Sequence, residues 1–88
     1  MAYEFATERR KLFTEDGQTV FIKDRDAVLS AMRATGAIRM VEAMRLMKCG
    51  DTWTMLATMD RMCELGDVYE LTGSSVAGQL RVFALSAK

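Results

Sequence analysis

The side chains that carry out most protein chemistry are sparse in this sequence of 88 residues, which contains no histidine and two cysteines. Without histidine the chain lacks the usual general base and the most common nitrogen ligand of zinc. Cys49 and Cys63 do not have the spacing of a metal-binding pair, and we expect two reduced thiols at the edge of the core. The neighbouring carboxylates Asp24 and Asp26 lie where helix capping accounts for them. The sequence therefore predicts no enzyme, no metal site and no cofactor, which leaves binding as the chemistry to explain.

The clearest element is a helix over residues 52–65. Met55, Met59 and Met62 recur at helical spacing and predict one buried face. Asp51 is suited to cap the start of this helix, and Gly66 is suited to end it. The residues that follow predict a strand (68–72), a flexible loop (73–78) with glycine at both ends, and a returning strand (79–85).

The preceding part of the chain predicts a hairpin and two further helices. Residues 11–22 place two apolar runs on either side of an Asp16-Gly17 pair, which is a strong hairpin signal. A helix is predicted from Asp24 or Asp26 to about residue 34, and a second one over residues 37–48. The short turn at residues 49–51 then joins the second helix to the third.

The last two helices and the strands after them resemble the recognition helix and wing of winged helix-turn-helix domains, as in small bacterial or phage transcriptional regulators. The similarity consists of hydrophobic spacing over residues 26–85 and is carried by Thr52, Met55, Met59, Met62, Gly66 and Val68. It implies an α+β fold in one domain, residues 1–88, with three helices (24–66) and a C-terminal β-hairpin wing (67–86). The predicted N-terminal β-hairpin (1–23) is an extension that the superfamily does not require.

The resemblance implies a DNA-binding protein, dimeric if it regulates transcription, because one module of this size buries too little DNA for high specificity. Double-stranded DNA would be contacted from three places. The recognition helix would offer Thr52, Trp53, Thr54, Thr58 and Arg61; the wing would offer Ser74, Ser75, Gln79 and Arg81; the second helix would hold phosphates with Arg39, Arg45 and Lys48. An ordinary solvated helix face explains Thr54, Thr58 and Arg61 equally well.

The charge of the chain favours a different hypothesis, in which a winged-helix shape serves as a protein-interaction module, an adaptor or an inhibitor, without binding DNA. The formal net charge is zero, whereas phosphate neutralisation supplies most nonspecific affinity for nucleic acid. Residues 25–50 carry five basic and two acidic side chains, a net charge of +3, so the basic excess precedes the predicted recognition helix. Asp60 and Glu64 on that helix would be repelled by phosphates.

Trp53 also bears on the choice between these hypotheses. It lies apart from the methionines on the helical wheel, and a half-exposed tryptophan at a helix start is suited to anchor a partner. Alternatively, it folds under the N-terminal hairpin against Phe13 or Phe21. The sequence shows neither a signal peptide nor an apolar run long enough for a membrane helix, and we expect a cytoplasmic protein.

Overall fold

Local signals at both ends define the longest helix, which runs from Glu15 to Thr35. The hydroxyl oxygen of Thr14 accepts a hydrogen bond from the N–H of Gly17 at 3.0 Å, and two carboxylates in the first turn are stabilised by the partial positive charge of the helix N-terminus. Gly36, with φ of 82°, ends the helix in the left-handed conformation that glycine adopts without steric cost.

The computed structural model describes residues 2–73 and 76–87 and has an α+β architecture with four α-helices and a three-stranded antiparallel sheet. In chain order the elements are α1 (Phe5–Glu8), a 3₁₀ helix (Arg9–Phe13), α2 (Glu15–Thr35), β1 (Ala37–Arg39), α3 (Met40–Leu46), α4 (Thr52–Glu64), β2 (Val68–Glu70), a 3₁₀ helix (Gly78–Leu80) and β3 (Val82–Leu85).

The predicted N-terminal β-hairpin is wrong, because the segment folds as helices. Phe21, Val28 and Met32 recur at helical spacing, and all three are buried. Gly17 serves a different purpose from a hairpin turn, since a Cβ atom at this position would overlap the carbonyl oxygen of Lys11. The glycine allows two backbone segments to approach closely.

The three predicted helices are present with altered boundaries. The first ends near the expected position but begins at Glu15, and the third, α4, matches its predicted range. The second is shorter than predicted, because residues 37–39 form β1 and the helix begins only at Met40.

The sheet has the order β1-β3-β2, with the C-terminal strand in the middle. Phe83 at its centre is opposite Ile38 on one side and Glu70 on the other. The predicted free C-terminal hairpin therefore needs correction, because its second strand is also paired with β1. That strand is also shorter than predicted, since residues 78–80 form a 3₁₀ turn.

Methionines fill much of the core between the helices and the sheet. Met32, Met40, Met59 and Met62 are completely buried, as is Phe83 from the central strand. The predicted methionine face of α4 is confirmed for Met59 and Met62. Flexible thioether side chains suit this role because they adapt to irregular gaps.

A buried carboxylate fixes the turn between α3 and α4. Asp24 on α2 is 1% exposed and accepts hydrogen bonds from the N–H groups of Lys48 at 2.8 Å and Cys49 at 3.2 Å. Asp24 therefore joins helix and turn, and it does not cap a helix start as the sequence suggested.

Within the described residues, no helix has the length and apolar character needed to cross a membrane.

Candidate functional site

Residues 2–13, called here the N-terminal arm, pack along α4. The Tyr3 hydroxyl donates a hydrogen bond to Asp60 Oδ2 at 2.6 Å, and Arg9 Nε donates to both carboxylate oxygens of Glu64 at 3.0 Å. Leu12 of the arm is 3% exposed and belongs to the hydrophobic core. The structure describes every residue of α4, and only Thr52 and Glu64 among them are exposed.

The face of α4 that was predicted to read DNA is covered by this arm. Thr58 is 1% exposed, and its hydroxyl donates to the carbonyl oxygen of Thr54 at 2.9 Å. Arg61 is occupied on two sides, since its Nη1 lies 3.2 Å from Glu64 Oε1 and its guanidinium lies 4.9 Å from the centre of the Phe13 ring. Thr58 therefore does not lie on a solvated face of α4 in this arrangement, because the helix is packed against neighbouring segments on this side as well.

The remaining predicted contact residues are spread over the surface. Thr54 is half-buried, and its hydroxyl donates to Asp51 Oδ2 at 2.7 Å. Thr52 at the start of α4 and Gln79 in the second 3₁₀ helix are exposed. Ser74 and Ser75 lie outside the described residues.

The three predicted phosphate clamps differ in their surroundings. Arg39 forms an ion pair with Glu42 at 2.7 Å. Arg45 and Lys48 are exposed, and among the described residues neither has an ion-pair partner. These two side chains are available to an anionic partner.

Arg81, predicted as a wing contact, lies in a largely buried ion-pair cluster. Its side chain is 13% exposed, and Nη2 donates to Asp60 Oδ1 at 2.5 Å and to Glu70 Oε1 at 2.8 Å. Nε lies 3.1 Å from Glu70 Oε2, which also accepts a hydrogen bond from the Thr72 hydroxyl at 2.6 Å. The Arg81 guanidinium lies over the Phe83 ring, 4.9 Å from the ring centre, and this cation–π contact stabilises its position.

Burial and hydrogen bonds within this cluster shift the pKa values of Arg81, Glu70 and Tyr3. Burial by itself lowers the pKa of Arg81, but hydrogen bonds to Glu70 and Asp60 outweigh it, and the net pKa is raised. Hydrogen bonds from Arg81 lower the pKa of Glu70. Burial and the hydrogen bond to Asp60 raise the pKa of Tyr3, so its phenol stays neutral.

A groove opens between α4 and the connection from β2 to β3, directly above this cluster. We call it the Trp53 groove; it has a volume of about 660 Å³, and its main lining residues are Tyr3, Trp53, Leu56, Asp60, Glu70 and Arg81. On the other side of Trp53 a smaller hollow of about 280 Å³ is lined by the N-terminal arm, including Glu4 and Glu8. Trp53 is thus a half-buried ridge between two concave surfaces. The alternative in which it folds under an N-terminal hairpin is wrong, because that segment is helical and Trp53 shares its two hollows with Tyr3 and Glu4 of the arm.

The structure brings together residues that sequence reasoning did not connect. Asp60, Glu70 and Arg81 come from α4, β2 and the residue before β3, and Tyr3 comes from the arm. Asp60 was noted only as an unfavourable charge beside a reading face, and Tyr3 carried no signal. A pattern within one helix cannot reveal contacts between such distant positions.

The two cysteines do not form a reactive site. Burial raises the pKa of each thiol, Cys49 and Cys63, to about 11, so both remain protonated at neutral pH and are weak nucleophiles. Within the described residues, no group of three or more potential ligands is placed to hold a metal ion.

No protein-family model, curated protein or solved structure matches this chain. The geometry of the chain itself is therefore the basis for assigning a function.

Proposed function

We propose that this chain is a non-enzymatic protein-interaction module of winged-helix shape, which docks a protein partner in the Trp53 groove. The observation that carries the proposal is the placement of Trp53, a half-buried aromatic ridge beside a groove of about 660 Å³. Tryptophan is among the residues that contribute most to protein interfaces, particularly where a neighbouring pocket excludes water. A groove of this size accommodates a few side chains of an extended or helical segment.

The order of elements supports the relation to winged helices. Two helices, α3 and α4, are joined by a tight turn containing Gly50 with φ of 76°, and an antiparallel pair of strands follows. A fold of this kind hosts unrelated functions, so the site and not the shape has to decide the function.

The covered state of α4 argues against groove insertion by this helix. Entry into a major groove requires exposed side chains that reach base edges. Here Thr58 is buried and Arg61 lies over the Phe13 ring of the arm, and displacing the arm from α4 would expose its buried Leu12 to water. A chain with zero net charge also lacks the excess of cations that draws proteins to DNA.

A second candidate function, DNA binding, is favoured by one specific observation. Arg45 and Lys48 near the end of α3 are exposed and have no ion-pair partner among the described residues. They could hold phosphates with a surface other than α4, and a dimer would then double the basic contacts.

The proposed function is tested by selecting random twelve-residue peptides on the immobilised full chain. Enriched peptides are then compared on the wild type, on Trp53→Ala and on Tyr69→Ala, which removes an aromatic side chain that is 52% exposed and does not line the groove. We expect affinity to be kept by Tyr69→Ala and to fall roughly tenfold or more on Trp53→Ala.

A second variant, which adds a larger side chain to the groove, distinguishes loss of binding from unfolding of Trp53→Ala. Ala77 lines the groove and is exposed, so Ala77→Phe fills the groove without removing a core side chain. It should also abolish binding while its thermal unfolding stays close to that of the wild type. Peptides that bind all variants equally would contradict the proposed site.

DNA binding is tested separately by fluorescence anisotropy of a labelled random-sequence duplex at roughly 50 and 200 mM salt. We expect no binding at either concentration. Binding that collapses at the higher salt and is lost in Lys48→Ala would establish the second candidate.

A further inference from the structure

We infer that the Trp53 groove recognises a basic side chain, lysine or arginine, of the partner protein. Its cationic head would lie at the carboxylates of Asp60 and Glu70, and its aliphatic stem would lie against the indole ring of Trp53. This inference rests on the proposed function and adds the chemical class of the partner segment.

The charge of the groove supports a cationic occupant. Two carboxylates, from Asp60 and Glu70, surround one guanidinium, that of Arg81, so the formal charge of the cluster is −1. In the smaller hollow beyond Trp53, Glu4 and Glu8 are both present, while Lys11 Nζ lies 2.7 Å from Glu8 Oε1. Carboxylates therefore outnumber cations on both sides of the indole ring, and an incoming anion would be repelled.

The carboxylates retain hydrogen-bonding capacity on the side that faces the groove. Asp60 Oδ1 and Glu70 Oε1 each accept one hydrogen bond from the described residues, and in both cases the donor is Arg81 Nη2. A carboxylate oxygen has two lone pairs, so each can accept a second donor. The two side chains are 18% and 26% exposed, and both residues line the groove.

Arg81 cannot turn out to bind an anion in its place. Its guanidinium contacts the Phe83 ring on one face and donates to both carboxylates at its edge. An ammonium or guanidinium group from a partner would instead neutralise the remaining negative charge of the cluster. Trp53 beside it offers the ring that interacts best with cations and a flat surface for a methylene chain.

The inference is tested by NMR on the full ¹⁵N-labelled chain, in which the single tryptophan gives one indole N–H signal. The probes are four capped pentapeptides, Gly-Ser-Xaa-Ser-Gly, in which Xaa is Arg, Lys, Gln or Glu. At low salt the Arg and Lys peptides should shift the Trp53 indole signal in a saturable way at concentrations up to roughly 10 mM, and the Gln and Glu peptides should not.

Charge-neutralising variants identify the recognition groups. Asp60→Asn and Glu70→Gln should each weaken the Arg peptide by about threefold to tenfold, and raising the salt should weaken it further. Glu15→Gln is the matched control, because Glu15 is an exposed carboxylate in the first turn of α2 and does not line the groove. Comparable spectra of the folded variants confirm that the loss is not caused by unfolding.

Failure of this inference and failure of the proposed function give different results. If the selected twelve-residue peptides depend on Trp53 but the Arg and Lys peptides do no better than the Gln and Glu peptides, the basic recognition is overturned and the docking groove stands. If no peptide depends on Trp53, the proposed function itself fails. Equal effects of Glu15→Gln and Glu70→Gln would also overturn the inference.

Discussion

Replacement of Gly17 by alanine tests whether the N-terminal arm packs as described. In most helices glycine to alanine is stabilising by up to about 1 kcal/mol, because alanine has the higher helix propensity. Here an added Cβ atom would overlap the carbonyl oxygen of Lys11 and lie 2.7 Å from Thr14 Oγ1. Both neighbours belong to the segment that leads from the arm into α2, so Gly17→Ala is expected to destabilise the protein.

The magnitude follows from two destabilising contributions and one stabilising contribution. Relief of the overlap requires movement of the Lys11 backbone, and overpacking of this kind costs about 1–3 kcal/mol. Displacement of Thr14 also weakens the helix cap, which contributes about 1 kcal/mol. After subtraction of the propensity gain, we expect a net loss of about 1–3 kcal/mol, which lowers the Tm of a domain of this size by roughly 5–15 °C.

Thermal and urea unfolding of the wild type, Gly17→Ala and Ser30→Ala provide the measurement. Ser30 is exposed on the same helix, and its replacement by alanine should leave stability unchanged or raise it by a few tenths of a kcal/mol. The emission of Trp53 should also move to longer wavelength in Gly17→Ala as the arm loosens. A Gly17→Ala protein as stable as the wild type would refute the close approach of Lys11 and, with it, the position of the arm.

Two further predictions concern buried charges. Asp24→Asn keeps the size of the side chain but replaces one acceptor oxygen by a donor, so an N–H of Lys48 or Cys49 loses its partner. We expect the free energy of unfolding, measured with urea, to fall by about 1–3 kcal/mol. An unchanged urea midpoint would contradict the role of Asp24 in the turn. Hydrogen bonds from Arg81 lower the pKa of Glu70 below its ordinary value of 4.5. The stabilisation that the ionised Glu70 carboxylate contributes is therefore fully present above pH 4.5 and is lost as the pH falls through the lowered pKa. Glu70→Gln should therefore lose less stability than the wild type as the pH falls from about 5 to below 4.5, and identical pH profiles would argue against the ion pair.

The best sequence predictions are those set by local chemistry. The range of α4 was predicted from Asp51, Gly66 and the spacing of Met55, Met59 and Met62, since helix-end residues and helical periodicity act within a few residues of one another. Asp51 occupies the N-cap position, but its carboxylate accepts a hydrogen bond from the Thr54 hydroxyl and makes no capping hydrogen bond. The end of α2 lies near the predicted residue 34, where Gly36 adopts the left-handed conformation.

The N-terminal hairpin was mispredicted because Gly17 is required by the close approach of Lys11 and not by a hairpin turn. The Asp16-Gly17 pair is typical of hairpin turns, yet here the Thr14 cap and the buried side chains of Phe21 and Val28 favour a helix. Glycine is needed at position 17 because Lys11 approaches it, and no pattern of alternating residues reports such an approach.

The site was predicted only in part for a related reason. A helical wheel groups Thr54, Thr58 and Arg61 on one face, but it does not say whether another segment covers that face. Trp53 was singled out as an anchor for a partner, whereas its neighbours Tyr3 and Arg81 come from opposite ends of the chain. The positions of Tyr3 and Arg81 beside Trp53 depend on the tertiary fold, and they cannot be predicted from the spacing of residues in the sequence.

The measurement that tests the central claim most directly is the affinity of one selected peptide for Tyr69→Ala relative to Trp53→Ala, by isothermal titration calorimetry on folded full-length protein. If the partner docks in the Trp53 groove, Tyr69→Ala binds the peptide as the wild type does and Trp53→Ala binds it at least about tenfold more weakly. Equal affinities for the two variants would contradict docking in the Trp53 groove.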